Sequence, residues 1–93
     1  MIKSFADKET ELVYKQKFSK RLPNTIQKVA LRKLMMIDNA KTLEDLRIPP
    51  NNRLEALYGN RKGKYSIRIN DQWRVCFREK DGYFYNVEIV DYH

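Results

Sequence analysis

The sequence predicts an α+β fold in which N-terminal helices pack on one face of a small four-stranded antiparallel sheet. Two observations lead to this class. Apolar residues recur at helical spacing before residue 49, and after residue 52 they alternate with polar residues. The Pro49-Pro50 pair marks the change, because proline cannot continue a helix. A chain of 93 residues is enough for one domain, which we expect to span residues 1–93.

Helices are predicted in three segments of the first half. Residues 7–18 form a weak helical candidate. A stronger helix begins near residues 23–25, where proline or a polar cap suits a first turn, and ends near Asn39. Thr42 then caps a short turn, with Asp45 three residues on in a capping box. The apolar stripe of the strong helix comprises Ile26, Val29, Ala30, Leu34 and Ile37, whereas Lys28, Arg32 and Lys33 lie largely off it.

Four strands are predicted in the second half. The first is short, at residues 53–57, and the other three are separated by turns at residues 70–72 and 80–82. The second turn contains the Asp81-Gly82 hairpin signal. Placing the apolar side chains on one face fixes the register. The predicted pairs are Ile69–Trp73, Ile67–Val75 and Tyr65–Phe77, followed by Phe77–Tyr85, Val75–Val87 and Trp73–Ile89.

The chain carries a formal charge of +7 and has a pI of about 9.6, which favours a polyanionic partner. A charge that serves only solubility is the alternative. The predicted register places Arg68 opposite Arg74 and Lys64 opposite Arg78, all pointing away from the core. Like charges in these positions repel, so we expect an anion to bind there. Glu88, predicted opposite Arg74, would neutralise this arginine in the alternative view, and the two views are compatible.

Several classes of function are disfavoured by composition. No apolar stretch approaches the length of a membrane span. One cysteine, Cys76, excludes an internal disulfide, and one cysteine with one histidine cannot build an ordinary structural zinc site. We therefore expect no metal, no cofactor and no membrane partner, and a cytoplasmic location.

The last three residues, Asp91-Tyr92-His93, carry groups suited to proton transfer. Cleaving RNA by attack of its own 2′-hydroxyl requires a base, an acid and cations that stabilise the charge on phosphorus. If the alternation continues, Tyr92 projects on the same face as Arg68 and Arg74. A histidine that is terminal by chance is the alternative. The chemical types are supplied by Arg68, Arg74, His93, Tyr92, Asp91 and Glu55.

Three segments in combination resemble a known family. They are the Gly-Asn-Arg of residues 59–61, the Trp-Arg-Val-Cys-Phe of residues 73–77 and the terminal Asp-Tyr-His. With the start at residues 1–5, they make the chain similar to the HigB toxins, also called plasmid-maintenance killer proteins, of the RelE/ParE superfamily. The resemblance implies a RelE-like fold and a ribosome-dependent endoribonuclease that cuts mRNA in the decoding site and arrests translation. The partners it implies are a HigA-like helix-turn-helix antitoxin, the 70S ribosome with mRNA, and operator DNA only through the antitoxin complex.

The resemblance also implies site residues. It places Arg74, Asp91, Tyr92 and His93 at positions that the family uses for activity, and Arg61 and Arg68 where related toxins bind RNA phosphates. Some active members have a histidine where this chain has Glu55 and a lysine where it has Tyr58. A glutamate can act as a base, but it cannot replace a cation. The predicted catalytic set is Arg74, Asp91, Tyr92, His93 and Glu55, and the predicted RNA-binding set is Arg61, Lys62, Lys64, Arg68 and Arg78.

Two other functions stay open at this point. ParE relatives share the fold and poison DNA gyrase, in which case the basic face is an interaction surface. A regulatory nucleic-acid-binding protein that acts only with its antitoxin is the second alternative.

Overall fold

A computed structural model of the protein describes residues 1–61 and 63–92, without the side chain of Arg61. The predictions made for that side chain, for Lys62 and for His93 therefore lie outside the described residues. The helices are α1 (Lys8–Tyr14) and α2 (Asn24–Asn39), with 3-10 turns at Leu43–Arg47, Pro50–Asn52 and Gly59–Arg61; the strands are β1 (Glu55–Ala56), β2 (Tyr65–Arg68), β3 (Trp73–Lys80) and β4 (Tyr83–Asp91).

The two helices pack on one face of a four-stranded antiparallel sheet of order β1-β2-β3-β4, which confirms the predicted α+β class. The apolar stripe of α2 faces the core as predicted, with Ala30, Leu34 and Ile37 completely inaccessible and Val29 partly buried. Lys33 was predicted to lie off this stripe, and that prediction is wrong, because its side chain is also buried. Lys33 lies seven positions after Ile26, which is two helical turns, so the two side chains share one face of the helix.

Helix α1 ends four residues earlier than predicted, at Tyr14. Gln16 adopts a left-handed conformation with φ 61°. Its amide donates to the Val13 carbonyl at 2.9 Å, and the Lys17 amide donates to the Leu12 carbonyl at 2.8 Å. These two bonds form a Schellman motif, which satisfies the last carbonyls of the helix and turns the chain away.

The β2–β3 hairpin has the predicted register. Tyr65 pairs with Phe77 and Ile67 with Val75, and on the opposite face Arg68 pairs with Arg74. The first strand is shorter than predicted, and its pairing partner is β2, with Glu55 opposite Ser66.

The predicted register of the β3–β4 hairpin is wrong. Only Asp81 and Gly82, both with positive φ, form the loop, so Lys80 pairs with Tyr83. This two-residue turn places Phe84 in the core, where it meets Phe77 edge-on at 5.4 Å between ring centroids. A bulge between Cys76 and Arg78 then shifts the register, and beyond it Val75 pairs with Ile89, Trp73 with Asp91, Arg74 with Val90 and Cys76 with Glu88.

The bulge restores the apolar face of β4. Without it, the register set by the two-residue turn would continue and send Val87 and Ile89 to the opposite face from Val75, because a one-residue slip inverts every side chain. Asn86 carries the distortion, with φ 53°. Val87 and Ile89 are consequently buried beside Phe84, while Tyr85 is only partly buried.

The outer edge of β4 is covered by residues 1–6, which the sequence did not predict. Ile2 bridges to Phe84 and Phe5 to Val87, both in parallel orientation. Farther along, the Ile89 amide donates to the buried Thr10 hydroxyl of α1 at 2.9 Å. These contacts occupy amides that an exposed edge strand would present to other chains.

The capping box at Thr42 yields a stability prediction. The Asp45 carboxylate accepts from the backbone amides of Lys41 at 2.9 Å and Thr42 at 3.2 Å, and these bonds lower the pKa of Asp45. A lowered folded-state pKa gives stability that is present above the ordinary aspartate pKa of about 3.9 and is lost as the pH falls through the lowered value. We expect Asp45→Ala to lower the Tm at pH 7, by a difference that shrinks progressively below pH 4.

Thermal unfolding followed by circular dichroism across this pH range measures the difference. Glu44→Ala is the matched control, since Glu44 is exposed on the same turn and its carboxylate pairs with the exposed Arg47. A Tm difference for Asp45→Ala that is independent of pH would contradict the assigned role of its charge.

Candidate active site

The centre of the site is Arg74, whose side chain is held beneath the surface of the sheet. It lies on the face opposite the helices, as predicted, but only 8% of the residue is exposed, so the prediction of an open basic face is wrong at this point. Its Nε donates to the Ser66 hydroxyl at 2.8 Å, and its Nη2 donates to the carbonyls of Arg53 and Ser66. Three acceptors thus fix the plane of the guanidinium, with Nη1 turned toward Glu55.

The Arg53 carbonyl reaches Arg74 because the chain turns sharply at that residue. Arg53 follows the 3-10 turn at Pro50–Asn52 and is left-handed, with φ 46° and ψ 58°. Its amide donates to the Pro50 carbonyl at 3.1 Å. A residue with a side chain rarely adopts this conformation, so neighbouring contacts must hold it.

A cleft of about 210 Å³ opens beside the guanidinium. Polar side chains dominate its walls, and two of its three arginines face an acid. The lining residues are Arg53, Glu55, Arg68, Asn70, Asp71, Arg74 and Tyr92. The structure therefore brings together four of the predicted site residues, namely Glu55, Arg68, Arg74 and Tyr92.

Glu55 and Tyr92 flank Arg74 at the mouth of this cleft. The Glu55 carboxylate lies 3.8 Å from Nη1 of Arg74, and about half of its side chain is exposed. The Tyr92 ring lies 5.7 Å from the Arg74 guanidinium carbon, within cation–π range. The Tyr92 amide donates to the Gln72 carbonyl at 2.7 Å, which fixes the backbone just beyond β4.

Arg68 forms the second basic wall of the cleft. Its Nη2 donates to the Asp71 carboxylate at 2.6 Å, and this bond with the arginine charge lowers the pKa of Asp71. Asp71 is almost fully exposed, so the pair is weak and a bound anion can compete for Arg68. Asn70 shapes the turn behind it, because its side-chain oxygen accepts from the amides of Gln72 and Trp73.

The remaining predicted residues lie elsewhere. The Lys64 Nζ lies 3.6 Å from the Glu88 carboxylate. Glu88 was predicted opposite Arg74, but in the register of β3 and β4 it lies opposite Cys76. Arg78 lines a separate depression together with Gly63, Glu79, Lys80 and Tyr85. Asp91 accepts from the Gln72 side chain at 3.1 Å, at the end of β4 next to the cleft. Among the described members of the predicted RNA-binding set, Arg68 therefore lies in the cleft, whereas Lys64 and Arg78 lie outside it.

Sequence reasoning missed several residues that build the site. Ser66 shares the face of Arg68 and Arg74 in the confirmed register, so its position was available as a signal. Asn70 and Asp71 were predicted only as a turn. The Arg53 carbonyl could not be found from the sequence, because its direction depends on a left-handed backbone at a residue that carries a side chain.

The described residues contain neither a candidate metal site nor a candidate membrane span. Within residues 1–61 and 63–92, no group of three or more histidine, cysteine, aspartate or glutamate side chains could hold a metal ion. None of the described helices has the length and apolar character needed to cross a membrane.

The anchoring of Arg74 gives a prediction for Ser66. Ser66→Ala removes the acceptor of a buried guanidinium N–H, so we expect the free energy of unfolding to fall by about 1.5–3 kcal/mol. Urea denaturation measures the change. Thr25→Ala, at an exposed position on α2, serves as the control and should cost less than about 0.5 kcal/mol. Equal effects of the two substitutions would show that the Ser66–Arg74 bond contributes nothing measurable.

Comparison with known proteins identifies the family. The sequence model of one protein family, described as a RelE-like toxin of the type II toxin-antitoxin system HigB, matches residues 3–93. Toxin HigB-1 of Vibrio cholerae serotype O1 is 46% identical over 83 residues, which are 88% of this chain and 87% of that protein. Endoribonuclease HigB of Proteus vulgaris is 30% identical over 93 residues, with both chains fully covered.

A solved structure supports the fold independently. The crystal structure of a YafQ mutant from E. coli superposes with a TM-score of 0.67 at 14% identity, covering 98% of this chain and 91% of that chain. The family expected from the Gly-Asn-Arg, Trp-Arg-Val-Cys-Phe and Asp-Tyr-His segments is confirmed: this chain belongs to the HigB-like family of RelE-like toxins of type II toxin-antitoxin systems.

Proposed function

We propose that this toxin is a ribosome-dependent endoribonuclease that cleaves mRNA and arrests translation. The observation that carries the proposal is the arrangement at Arg74, a fixed arginine with a carboxylate and a tyrosine at the mouth of one polar cleft. The name of the Proteus vulgaris relative, an endoribonuclease, supports the same activity.

The cations of the cleft suit the charge that develops when RNA attacks its own phosphate. The 2′-oxygen adds to phosphorus, and the negative charge on the non-bridging oxygens grows until the 5′-oxygen leaves. Nη1 of Arg74 faces the cleft, while Nε and Nη2 are held by Ser66 and Arg53. Because this guanidinium is already oriented, it can stabilise the transition state with little reorganisation. Arg68, the cross-strand neighbour of Arg74, supplies a second positive charge to the cleft.

Glu55 is the proposed base that takes the 2′-hydroxyl proton. Its carboxylate is accessible and adjacent to Arg74, so a phosphate bound at Nη1 brings its neighbouring ribose near Glu55. Tyr58, where some family members have a lysine, is 85% exposed and provides an aromatic surface for stacking in place of a charge.

The C-terminal residues complete the proposed site. Tyr92 lines the cleft against Arg74, and Asp91 is held at its edge by Gln72. His93, which follows directly, is the proposed acid for the leaving 5′-oxygen, since imidazolium is the usual proton donor near neutral pH. This role is assigned from the residue type and the family resemblance.

The partners follow from the same proposal. Arg61, Lys62, Lys64 and Arg78 would contact phosphates of the mRNA or of the ribosome outside the cleft, where their charge adds affinity without selecting a base. Action on ribosomes requires a cytoplasmic location. As a type II toxin the protein pairs with an antitoxin. We propose a HigA-like helix-turn-helix protein as that antitoxin, through which the complex would reach operator DNA.

Cleavage of mRNA in programmed 70S ribosomes tests the function. We expect the wild type to cut in the decoding site, and Arg74→Ala to lose more than about 100-fold in rate, as for loss of one preorganised donor to a developing oxyanion. A chain truncated after Asp91 should lose cleavage as well, because Tyr92 and His93 are removed. Arg21→Ala, an exposed arginine outside the cleft, is the matched control and should cut at the wild-type rate.

The outcomes separate the alternatives. A folded Arg74→Ala protein that cuts normally would overturn the assignment of Arg74. A folded wild type that leaves mRNA intact but induces a DNA-damage response would instead favour a gyrase poison. Growth that is unaffected by the toxin alone would favour a regulatory protein that acts only with its antitoxin.

The role of Glu55 is tested by Glu55→Gln, which keeps the shape of the side chain and removes the base. We expect the single-turnover rate to fall by about 100-fold or more, with ribosome affinity unchanged. Glu44→Gln, an exposed glutamate on the first 3-10 turn, is the control. A wild-type rate for Glu55→Gln would move the base to another residue of the cleft.

A further inference from the structure

Lys33 is a buried cation in the middle of α2. Only 4% of the residue is exposed, and its Nζ donates to the side-chain oxygen of Asn52 at 2.6 Å. Burial lowers the pKa of Lys33, and the positive charges of Arg32 and Arg68 lower it further. A buried ammonium held by a neutral amide is costly, and a methionine would fill the same space at a smaller cost. Apolar packing of α2 alone therefore gives no reason for a lysine here.

Asn52 is completely buried and ties three segments together. Its side-chain nitrogen donates to the carbonyls of Leu46 at 3.2 Å and Ile48 at 3.4 Å. Its side-chain oxygen receives the Lys33 bond, and its own amide donates to the Pro49 carbonyl at 2.9 Å. The Pro50–Asn52 turn is thus held from inside the protein by α2.

The residue after this turn is Arg53, whose carbonyl accepts from Nη2 of Arg74. One peptide bond separates Asn52 from Arg53, and the left-handed conformation of Arg53 sets the direction of its carbonyl. A shift of the Pro50–Asn52 turn would change that direction, because Arg53 is the next residue in the chain. Loss of the Lys33 bond would leave the Asn52 oxygen buried without its donor, which favours such a shift.

We propose that Lys33 and Asn52 are positioning residues for Arg74, in which the Lys33 ammonium holds Asn52 and thereby aims the Arg53 carbonyl that fixes the guanidinium for phosphate. This inference rests on the proposed function for its consequence in RNA cleavage, although the effect on the guanidinium is a property of the toxin alone. Neither residue belongs to the described lining of the cleft, so the proposed route to the reaction runs through Arg74.

The test compares Lys33→Met with the wild type in two measurements. Methionine has a similar length and cannot donate to Asn52. In single-turnover cleavage on programmed ribosomes, we expect a loss of about 10- to 100-fold in rate with unchanged half-saturating toxin concentration, as for a misplaced catalytic group. In nitrogen NMR of the free toxin, the two Nη signals of Arg74 should be separate in the wild type and averaged in Lys33→Met, because the guanidinium then rotates.

A double-mutant cycle with Arg74→Lys identifies the route of the effect. If Lys33 acts through the guanidinium, Lys33→Met has no further effect on the rate in the Arg74→Lys background. Lys28→Met, an exposed lysine on the same helix, is the matched control and should keep the wild-type rate. Circular dichroism checks that each variant is folded. Lys33→Leu, which likewise carries no hydrogen-bond donor, replaces Lys33→Met in both measurements if the methionine variant does not fold.

Each outcome decides a separate point. A folded Lys33→Met toxin with a wild-type rate and separate Nη signals would overturn the proposal. So would rate losses that multiply independently in the double mutant, or a loss confined to ribosome affinity, since either places Lys33 outside the path to Arg74. A wild type that does not cleave RNA overturns the proposed function alone, and the Arg74 signals then decide whether Lys33 positions the guanidinium.

Discussion

The hydrogen bonds of the Arg74 guanidinium join the parts of the chain that form the site. Ser66 comes from β2, Arg74 from β3 and the Arg53 carbonyl from the turn before β1. A buried guanidinium must have its donors satisfied. If one of these three segments shifted by itself, the buried charge of Arg74 would lose a hydrogen-bond partner. The short β1 strand is placed by the same requirement, and with it Glu55. Stability and site geometry therefore depend on one set of contacts.

The fold could be predicted where local pattern and tertiary constraint agree. The α2 stripe and the β2–β3 register were correct, because one apolar face in each case is buried against the other. The β3–β4 register failed for a specific reason. The loop has two residues where three were predicted, and a bulge at Asn86 compensates for the change of face. Alternation alone cannot reveal a compensated shift, since both ends of the hairpin still look regular.

The chemical groups of the site could be predicted from the sequence, but the burial of Arg74 could not. Residue types and the family resemblance predicted Glu55, Arg68, Arg74 and Tyr92 as site residues, and all four line the cleft. That Arg74 is buried depends on Ser66, whose place on the same face follows from the register, and on the left-handed Arg53, which has no signature in a single sequence. The burial of Lys33 could have been predicted from its position, which belongs to the apolar face of the helix, but the charge of its side chain argued against it.

The strand-like segment at residues 1–6 has a consequence for the synthesis of the toxin. Its partners are Phe84 and Val87, so its contacts join parts of the chain more than 80 positions apart. Residues 1–6 cannot pair until Phe84 and Val87 have been synthesised, and long-range closure of this kind slows folding. The edge of β4 can therefore be covered only once β4 itself has been synthesised, and until then residues 1–6 have no strand to pair with.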